Sequence, residues 1–175
     1  MTAITLTLMS LPMNFSFRAG EMRDIEAMYA LDQICFQPIF SFTKATFRYL
    51  AANGDNISIV AVSSAGFLAG FAILEIHPPD STCLTTIDIH PDFRRMGLGS
   101  QLLRHALKIA LGRGLFKTHL QVYVDNEAAI AFYLGFGYCI EKYLPDFYAR
   151  GVDACLMSFE VHFPAESIHE IRDYQ

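Results

Sequence analysis

No stretch of this 175-residue chain is hydrophobic for the roughly 20 consecutive residues that a membrane-spanning helix needs. The four cysteines lack the spacing of a zinc knuckle, and the six histidines form no HxxxH or HExxH pair. We therefore predict no membrane span and no metal site. Because Cys35, Cys83, Cys139 and Cys155 each lie among apolar residues, we expect four buried, free thiols in a reducing, cytoplasmic compartment.

Positive charge is also scarce. The chain has 13 Lys and Arg residues against 18 Asp and Glu residues, which gives a formal net charge of -5. Such a surface argues against nucleic-acid binding, because the phosphate backbone requires a basic face. It suits basic proteins or amines as partners. With 53% hydrophobic and 18% charged residues, the composition is that of a globular protein and not of a disordered one.

A signal peptide is not indicated either. The opening segment MTAITLTLMSLPM is apolar, but no basic residue precedes its hydrophobic part. Because the next segment reads as a first strand and helix, a start at Met13 would suffice for the fold. We predict an N-terminal extension over residues 1–12, one domain over 13–163 and a polar tail over 164–175.

The periodicity of the apolar residues predicts a mixed α/β sheet with helices on both faces. Alternation indicates strands, spacing at 3.6 residues indicates helices, and glycine and proline mark the breaks. The predicted order is a strand, two helices, three strands, a helix, a strand, a helix and two strands. These segments are 14–18, 22–35, 41–54, 56–64, 67–77, 82–90, 98–112, 118–124, 127–134, 137–144 and 153–163.

The stretch FRRMGLGSQLLRHAL places two glycines where a helix should begin. A helix start has free N–H groups and a positive dipole end, and glycine lets an anion approach the backbone. Arg94 and Arg95 add positive charge before Gly97 and Gly99. The alternative is a tight strand–helix junction with two surface arginines. The stretch is neither a P-loop nor a dinucleotide fingerprint, which would need glycine at Leu102.

RRMGLG resembles the R/Q-x-x-G-x-G/A signature of the GNAT N-acetyltransferases, and the preceding IDIHPDF resembles their fourth strand. A second signature of that family is matched by Asn126, Ala129, Tyr133, Gly137 and Tyr138. The resemblance covers about residues 14–163. It implies the GNAT fold, a central, mostly antiparallel sheet of about seven strands with four helices.

The resemblance implies acetyl-CoA as the acyl donor and no metal. The N–H groups of residues 95–100 would hold its pyrophosphate, the backbone of residues 87–89 would pair with its pantetheine arm, and Asn126 would contact it or simply cap a helix. The implied cofactor-binding residues are Ile87, Asp88, Ile89, Arg94, Arg95, Met96, Gly97, Leu98, Gly99, Ser100 and Asn126.

Tyr133 would stand near the thioester sulfur by the same resemblance. A phenol with a pKa near 10 is protonated at neutral pH and can act as general acid toward the departing thiolate. The alternative is an aromatic residue on the apolar face of a short helix. No cysteine matches a motif position for a covalent intermediate, so we expect direct attack by the amine.

LPDFYARGVDACLM resembles the end of N-terminal protein acetyltransferases, including the ribosomal-protein-alanine type. Phe147 and Tyr148 correspond to an aromatic pair in a loop that covers the substrate's first residues. The alternative is a hairpin whose two aromatics cap the core. One departure concerns Gln121, which stands where the ribosomal-protein type has a glutamate base. Glutamine takes no proton but can orient a water.

Asp88, Glu75, His77 or a chain of waters remain as candidate bases. An enzyme without a strong base favours an α-amine, whose pKa is near 8, over a lysine side chain, whose pKa is near 10.4. The difference in the free energy of deprotonation is roughly 3.4 kcal/mol. The preferred substrate is thus a protein or peptide N-terminus. The alternatives are a small amine (polyamine, amino acid or antibiotic) and a CoA-binding protein without catalysis. Monomer and homodimer both stay open.

Overall fold

The computed structural model describes residues 14–161 and contains a seven-stranded sheet with four α-helices. The predicted order of elements is confirmed, whereas the extension, the tail and the outer domain limits lie outside the described residues. The elements are β1 (Phe15–Ala19), α1 (Ile25–Cys35), α2 (Lys44–Ala52), β2 (Ile57–Ser63), β3 (Leu68–His77), β4 (Ser81–Ile89), α3 (Leu98–Gly112), β5 (Lys117–Tyr123), α4 (Glu127–Gly135), β6 (Cys139–Ala149) and β7 (Val152–Glu160).

The sheet opens in its middle. Its strand order is β1-β2-β3-β4-β5-β7-β6, and the only parallel pair among the described strands is β4 with β5. That pair joins Ser81–Cys83 to residues 117–119 and then ends. Because β4 continues to Ile89 and β5 to Tyr123, the two strands part and their facing edges have no strand partner there.

Two apolar cores lie on opposite faces of the sheet, as the helices on both faces predict. On one face, α1 and α2 cover β2 and β3, and Phe47 meets Phe71 edge to face at 5.7 Å. On the other face, α3 buries Leu102 and Leu103 completely. Each such leucine contributes about 1.5–3 kcal/mol of burial free energy, so α3 is held firmly against the central strands.

Side-chain caps begin the second and fourth helices where the sequence suggests them. Thr43 Oγ1 accepts from the N–H of Thr46, and Asn126 Oδ1 accepts from the N–H of Ala129, each at 3.1 Å. These bonds satisfy N–H groups that a helix start leaves free. The cap at Asn126 fixes the start of α4 at the open part of the sheet.

The expectation of four buried thiols is wrong. All four cysteines are free, but only Cys155 is buried, while Cys35 and Cys83 are half-buried and Cys139 is exposed. Cys139 begins β6, which is one of the two edge strands of the described sheet, so one side of it has no neighbouring strand there. Apolar neighbours along the chain therefore did not predict whether a cysteine is buried.

Candidate active site

A cavity of about 850 Å³ occupies the opening between β4 and β5. The start of α3, the face of α4 and the segment between α1 and α2 complete its walls. Most of the predicted site residues line it, namely Ile87, Asp88, Ile89, Arg94, Arg95, Gly97, Leu98, Gly99, Ser100, Gln121, Asn126, Tyr133 and Tyr148. Met96 and Phe147 do not line it, and both are about half exposed.

The glycine loop leaves the first turn of α3 open. Gly97 is the N-cap with φ 78° and supplies no side chain, and the first N–H bonded in the helix is that of Gln101, to the carbonyl of Gly97. The N–H groups of residues 98–100 therefore make no hydrogen bond within residues 14–161. Such a turn is an anion site.

The structural requirement for glycine differs between positions 97 and 99. Gly97 needs its left-handed backbone, which other residues adopt at a cost. At Gly99 a Cβ would touch Ile89 and Phe132 side chains at 3.6–3.9 Å, an ordinary contact. Packing within the protein therefore does not require glycine at 99, and the role of this glycine in ligand binding stays a prediction.

Tyr133 projects from α4 into a ring cluster. It is 8% exposed, and its ring lies 5.3 Å from that of Phe132 and 5.6 Å from that of Tyr138. Burial, followed by the charges of Tyr148 and Asp88, raises the pKa of Tyr133 well above its usual range. The phenol is therefore protonated at neutral pH, and its hydroxyl makes no hydrogen bond to the described residues.

Gln121 is held from two sides. Its backbone carbonyl accepts from the Tyr148 hydroxyl at 3.2 Å, and its Oε1 accepts a long bond from the Cys83 thiol at 3.8 Å. Burial raises the pKa of Cys83 to about 11, so this thiol is not a thiolate nucleophile at neutral pH. Gln121 lines the cavity as predicted, and its role there remains a prediction.

The other candidate bases differ in whether they line the cavity. Glu75 accepts from the Thr85 hydroxyl at 2.8 Å, and His77 is exposed and lies against His119. Neither Glu75 nor His77 lines the cavity, whereas Asp88 does. Asp88 is 1% exposed, and burial raises its pKa to about 8.

The aromatic pair is carried by a strand bulge and not by a loop, which corrects the expectation. In β6, residues 145–148 lie opposite Asp153 alone of β7. Asp146 adopts φ 54°, and its N–H donates to Asp153 Oδ1 at 2.8 Å. The bulge turns Tyr148 inward over the cavity, where its ring meets Phe40 at 4.9 Å.

Sequence reasoning missed the wall that α1 and the next segment supply. The stretch CFQPIFSF contributes four cavity residues, Cys35, Phe36, Phe40 and Phe42. The Cys35 thiol and the Arg94 Nε–H both donate to the carbonyl of Ile89, at 3.3 and 3.0 Å. The high aromatic content of this proline-broken segment was the one available signal, since its distance along the chain from β4 hides the contact.

The divided sheet, the open helix start and the buried tyrosine fit the acetyltransferase class that the two sequence motifs predict. The model of the acetyltransferase (GNAT) family matches residues 25–138. The chain belongs to this family, as its two motifs predicted, and it is an N-acetyltransferase. The predicted fold is confirmed, and acetyl-CoA is the acyl donor of the family.

Two relatives are N-acetyltransferases by name, one of a ribosomal-protein alanine and one of an α-amine. The chain is 33% identical over 118 residues to the ribosomal protein bS18-alanine N-acetyltransferase of Escherichia coli K12, covering 67% of this chain and 76% of the relative. It is 30% identical over 117 residues to N-alpha-acetyltransferase 30 of Schizosaccharomyces pombe, covering 65% and 77%.

Solved structures agree on the fold. The ribosomal-protein-S18-alanine N-acetyltransferase from Escherichia coli superposes with a TM-score of 0.78 at 25% identity, covering 89% of this chain and 99% of that one. Arabidopsis thaliana NAA60 in complex with acetyl-CoA superposes with a TM-score of 0.74 at 19% identity, covering 85% and 99%.

The described part of the chain has neither a cluster of metal-ligating residues nor a membrane-spanning helix. Within residues 14–161, no group of three or more His, Cys, Asp or Glu residues is arranged to hold a metal ion. No helix in that range is both long and apolar enough to cross a bilayer.

Proposed function

We propose that this protein transfers the acetyl group of acetyl-CoA to the α-amine of a protein or peptide N-terminus. The observation that carries the proposal is the aromatic cover over the cavity, in which Tyr148 from the β6 bulge meets Phe40 from the segment after α1. A cover built from two separate segments suits an extended chain whose first residues enter between them. The names of the relatives support the same substrate class.

The walls of the cavity fit acetyl-CoA, which supplies an acetyl group activated as a thioester. We propose that the free N–H groups at the start of α3 hold the pyrophosphate, with Arg94 and Arg95 nearby. The edge of β4 beyond its pairing with β5 offers backbone groups of Ile87 and the N–H of Ile89 to the pantetheine arm, whereas the Ile89 carbonyl already accepts from Cys35 and Arg94. The Asn126 side chain, whose Oδ1 already caps α4, keeps its NH₂ free to donate.

The protein's own groups then orient and protonate. The neutral amine attacks directly, because the Cys83 thiol is protonated and Cys35 is engaged with a carbonyl. Tyr133 donates its proton to the leaving sulfur as general acid. The free thiols are compatible with a reducing cytoplasm, in which we propose that the reaction takes place.

A matched substrate panel tests the proposal. We expect the highest kcat/KM for a peptide with a free N-terminal alanine. The same peptide with a blocked N-terminus and an internal lysine should react at least tenfold more slowly, because far less of its amine is neutral at pH 7.5. Acetyl-peptide formation by mass spectrometry measures both. A preference for a polyamine or a free amino acid over every peptide would overturn the N-terminal assignment.

Removal of the aromatic cover gives a second test. We expect Tyr148→Ala to raise the KM for the peptide about tenfold and to leave the thermal shift by acetyl-CoA unchanged, because the lost contacts lie on the acceptor side. Tyr143→Ala is the control, since Tyr143 is an exposed aromatic of the same strand that does not line the cavity. An equal rise of KM in both variants would count against a substrate contact at Tyr148.

A further inference from the structure

Two buried carboxylates lie on elements that pack together, Asp32 on α1 and Asp88 on β4. Asp32 is fully buried, and its Oδ2 accepts from the N–H of Phe42 and from Gln33 Nε2, each at 2.9 Å. Asp88 is 1% exposed, and its Oδ1 accepts from the Thr86 hydroxyl at 2.5 Å. The second oxygen of each, Asp32 Oδ1 and Asp88 Oδ2, is buried and has no hydrogen-bond partner among the described residues.

Two unpaired carboxylate oxygens in one buried region require a proton or a cation. Leaving a buried charged acceptor unsatisfied costs about 1–3 kcal/mol or more, and two neighbouring carboxylates resist joint ionisation. Burial contributes most to the raised pKa of Asp88, and the charge of Asp32 raises it further. The Thr86 hydroxyl and Arg94 act in the opposite direction.

The remaining surroundings of Asp88 do not neutralise it. Cys35 faces it from α1 and Tyr133 from α4, and the negative charge of Asp88 raises the pKa of both groups. Its partner on β3 is the uncharged Phe71. Arg94 is therefore the one positive group among the described residues that acts on Asp88, and its Nε–H is directed to a backbone carbonyl.

We propose that Asp88 takes up the proton of the attacking amine, with Asp32 as the positioning residue that makes it basic enough to do so. This role rests on the proposed function and supplies the acceptor that Gln121 lacks. Asp88 lines the same cavity as Gln121 and Tyr133, whereas Glu75 and His77 do not.

The proton balance closes. The neutral amine nitrogen forms a bond to the acetyl carbon, and the bond from that carbon to the CoA sulfur breaks with its electron pair going to sulfur. Tyr133 gives one proton to the sulfur. The Asp88 carboxylate, directly or through one water, takes one proton from the nitrogen, and solvent exchange returns Tyr133 and Asp88 to their starting forms.

The pH dependence of kcat/KM for the peptide tests this role. We expect kcat/KM of the wild type to rise with pH and to have its midpoint near 8, because Asp88 must be ionised to accept a proton. Asp32→Asn should move the midpoint down, since a negative neighbour is lost. Thr86→Val should move it up, since a hydrogen bond to the ionised form is lost. The amine's own pKa is the same for all variants, so opposite movements report Asp88.

Asp88→Asn should lower kcat/KM about tenfold and remove the part of the pH dependence that the other two variants move. A larger loss is not expected, because part of an α-amine is neutral at pH 7.5 and water can take its proton. Asp92→Asn, which alters an exposed carboxylate outside the cavity, is the matched control. An Asp88→Asn variant with the height and shape of the wild-type profile would overturn the proposal.

Thermal unfolding gives a readout that does not depend on activity. The folded-state pKa of Asp88, about 8, lies above the unfolded value of about 3.9. Between these values the folded state holds a proton that the unfolded state releases, so the stability that Asp88 contributes falls as pH rises. We therefore expect the difference between the Tm of Asp88→Asn and the Tm of the wild type to shift in favour of the variant as the pH rises from 5 to 9.

A Tm difference that is constant with pH would overturn the buried proton and the proposal with it. A different result would contradict the proposed function, namely a folded wild-type protein that acetylates no amine. That result would remove both proposals, whereas an active protein with an unaltered Asp88→Asn profile removes only the role of Asp88.

Discussion

Tyr133→Phe is expected to lower kcat by about 10²-fold or more while acetyl-CoA binds almost as well as to the wild type. General acid catalysis contributes about 10²–10⁴-fold, and this change removes only the donating hydroxyl. The phenylalanine ring keeps the contacts with Phe132 and Tyr138, so α4 and the cavity wall are retained. Steady-state kinetics with saturating peptide gives kcat, and the thermal shift gives binding.

Tyr138→Phe is the matched control for that result. Tyr138 belongs to the same motif and ring cluster and is 1% exposed, but it does not line the cavity. We expect its kcat to stay within a few-fold of the wild type. An unchanged kcat in Tyr133→Phe would mean that the leaving thiolate takes its proton from water or from another group.

Gly97→Asp combined with Gly99→Asp is expected to abolish the thermal stabilisation by acetyl-CoA. At a ligand concentration about 100 times Kd, the wild type should gain about 2.7 kcal/mol, which corresponds to several degrees in Tm. Two carboxylates at the open start of α3 would fill the space beside the free N–H groups and repel the pyrophosphate. Differential scanning fluorimetry with and without acetyl-CoA measures the loss.

The other end of the same helix offers a control pair, Gly112→Asp with Gly114→Asp. Gly114 has φ 76°, close to the 78° of Gly97, and a Cβ at Gly112 or Gly114 meets nothing within 4 Å. The control thus repeats the backbone strain and the added charge away from the cavity, and should retain the ligand-induced shift. Wild-type stabilisation by acetyl-CoA in Gly97→Asp/Gly99→Asp would show that the glycine loop is not the pyrophosphate site.

Local sequence patterns predicted the parts of the site that one continuous segment builds. The strand end at Ile89, the two glycines and the first turn of α3 are neighbours along the chain, so their motif fixes their geometry. Asn126 and Tyr133 are likewise separated by two turns of one helix. Such sites need no knowledge of which distant elements touch.

The parts that the sequence did not predict depend on contacts between distant segments. Asp32 and Asp88 lie in the same region only because α1 packs on β4. The sequence around either residue does not predict the position of the other. Phe40 reaches Tyr148 across more than a hundred residues of chain. The bulge at Asp146 was missed because its positive φ is stabilised by Asp153 on the next strand, and most Asp residues have negative φ even though Asp is enriched at positive φ.

The short pairing of β4 with β5 has a mechanical consequence. Within residues 14–161, three residue pairs join strands β1–β4 to strands β5–β7 through the sheet, and the shared apolar core under α3 supplies further contacts between the two halves. The arm of a thioester donor, hydrogen-bonded along the unpaired edge of β4, would add a reversible connection where β4 and β5 are not paired. Each turnover would then stiffen the molecule on donor binding and loosen it again when CoA leaves.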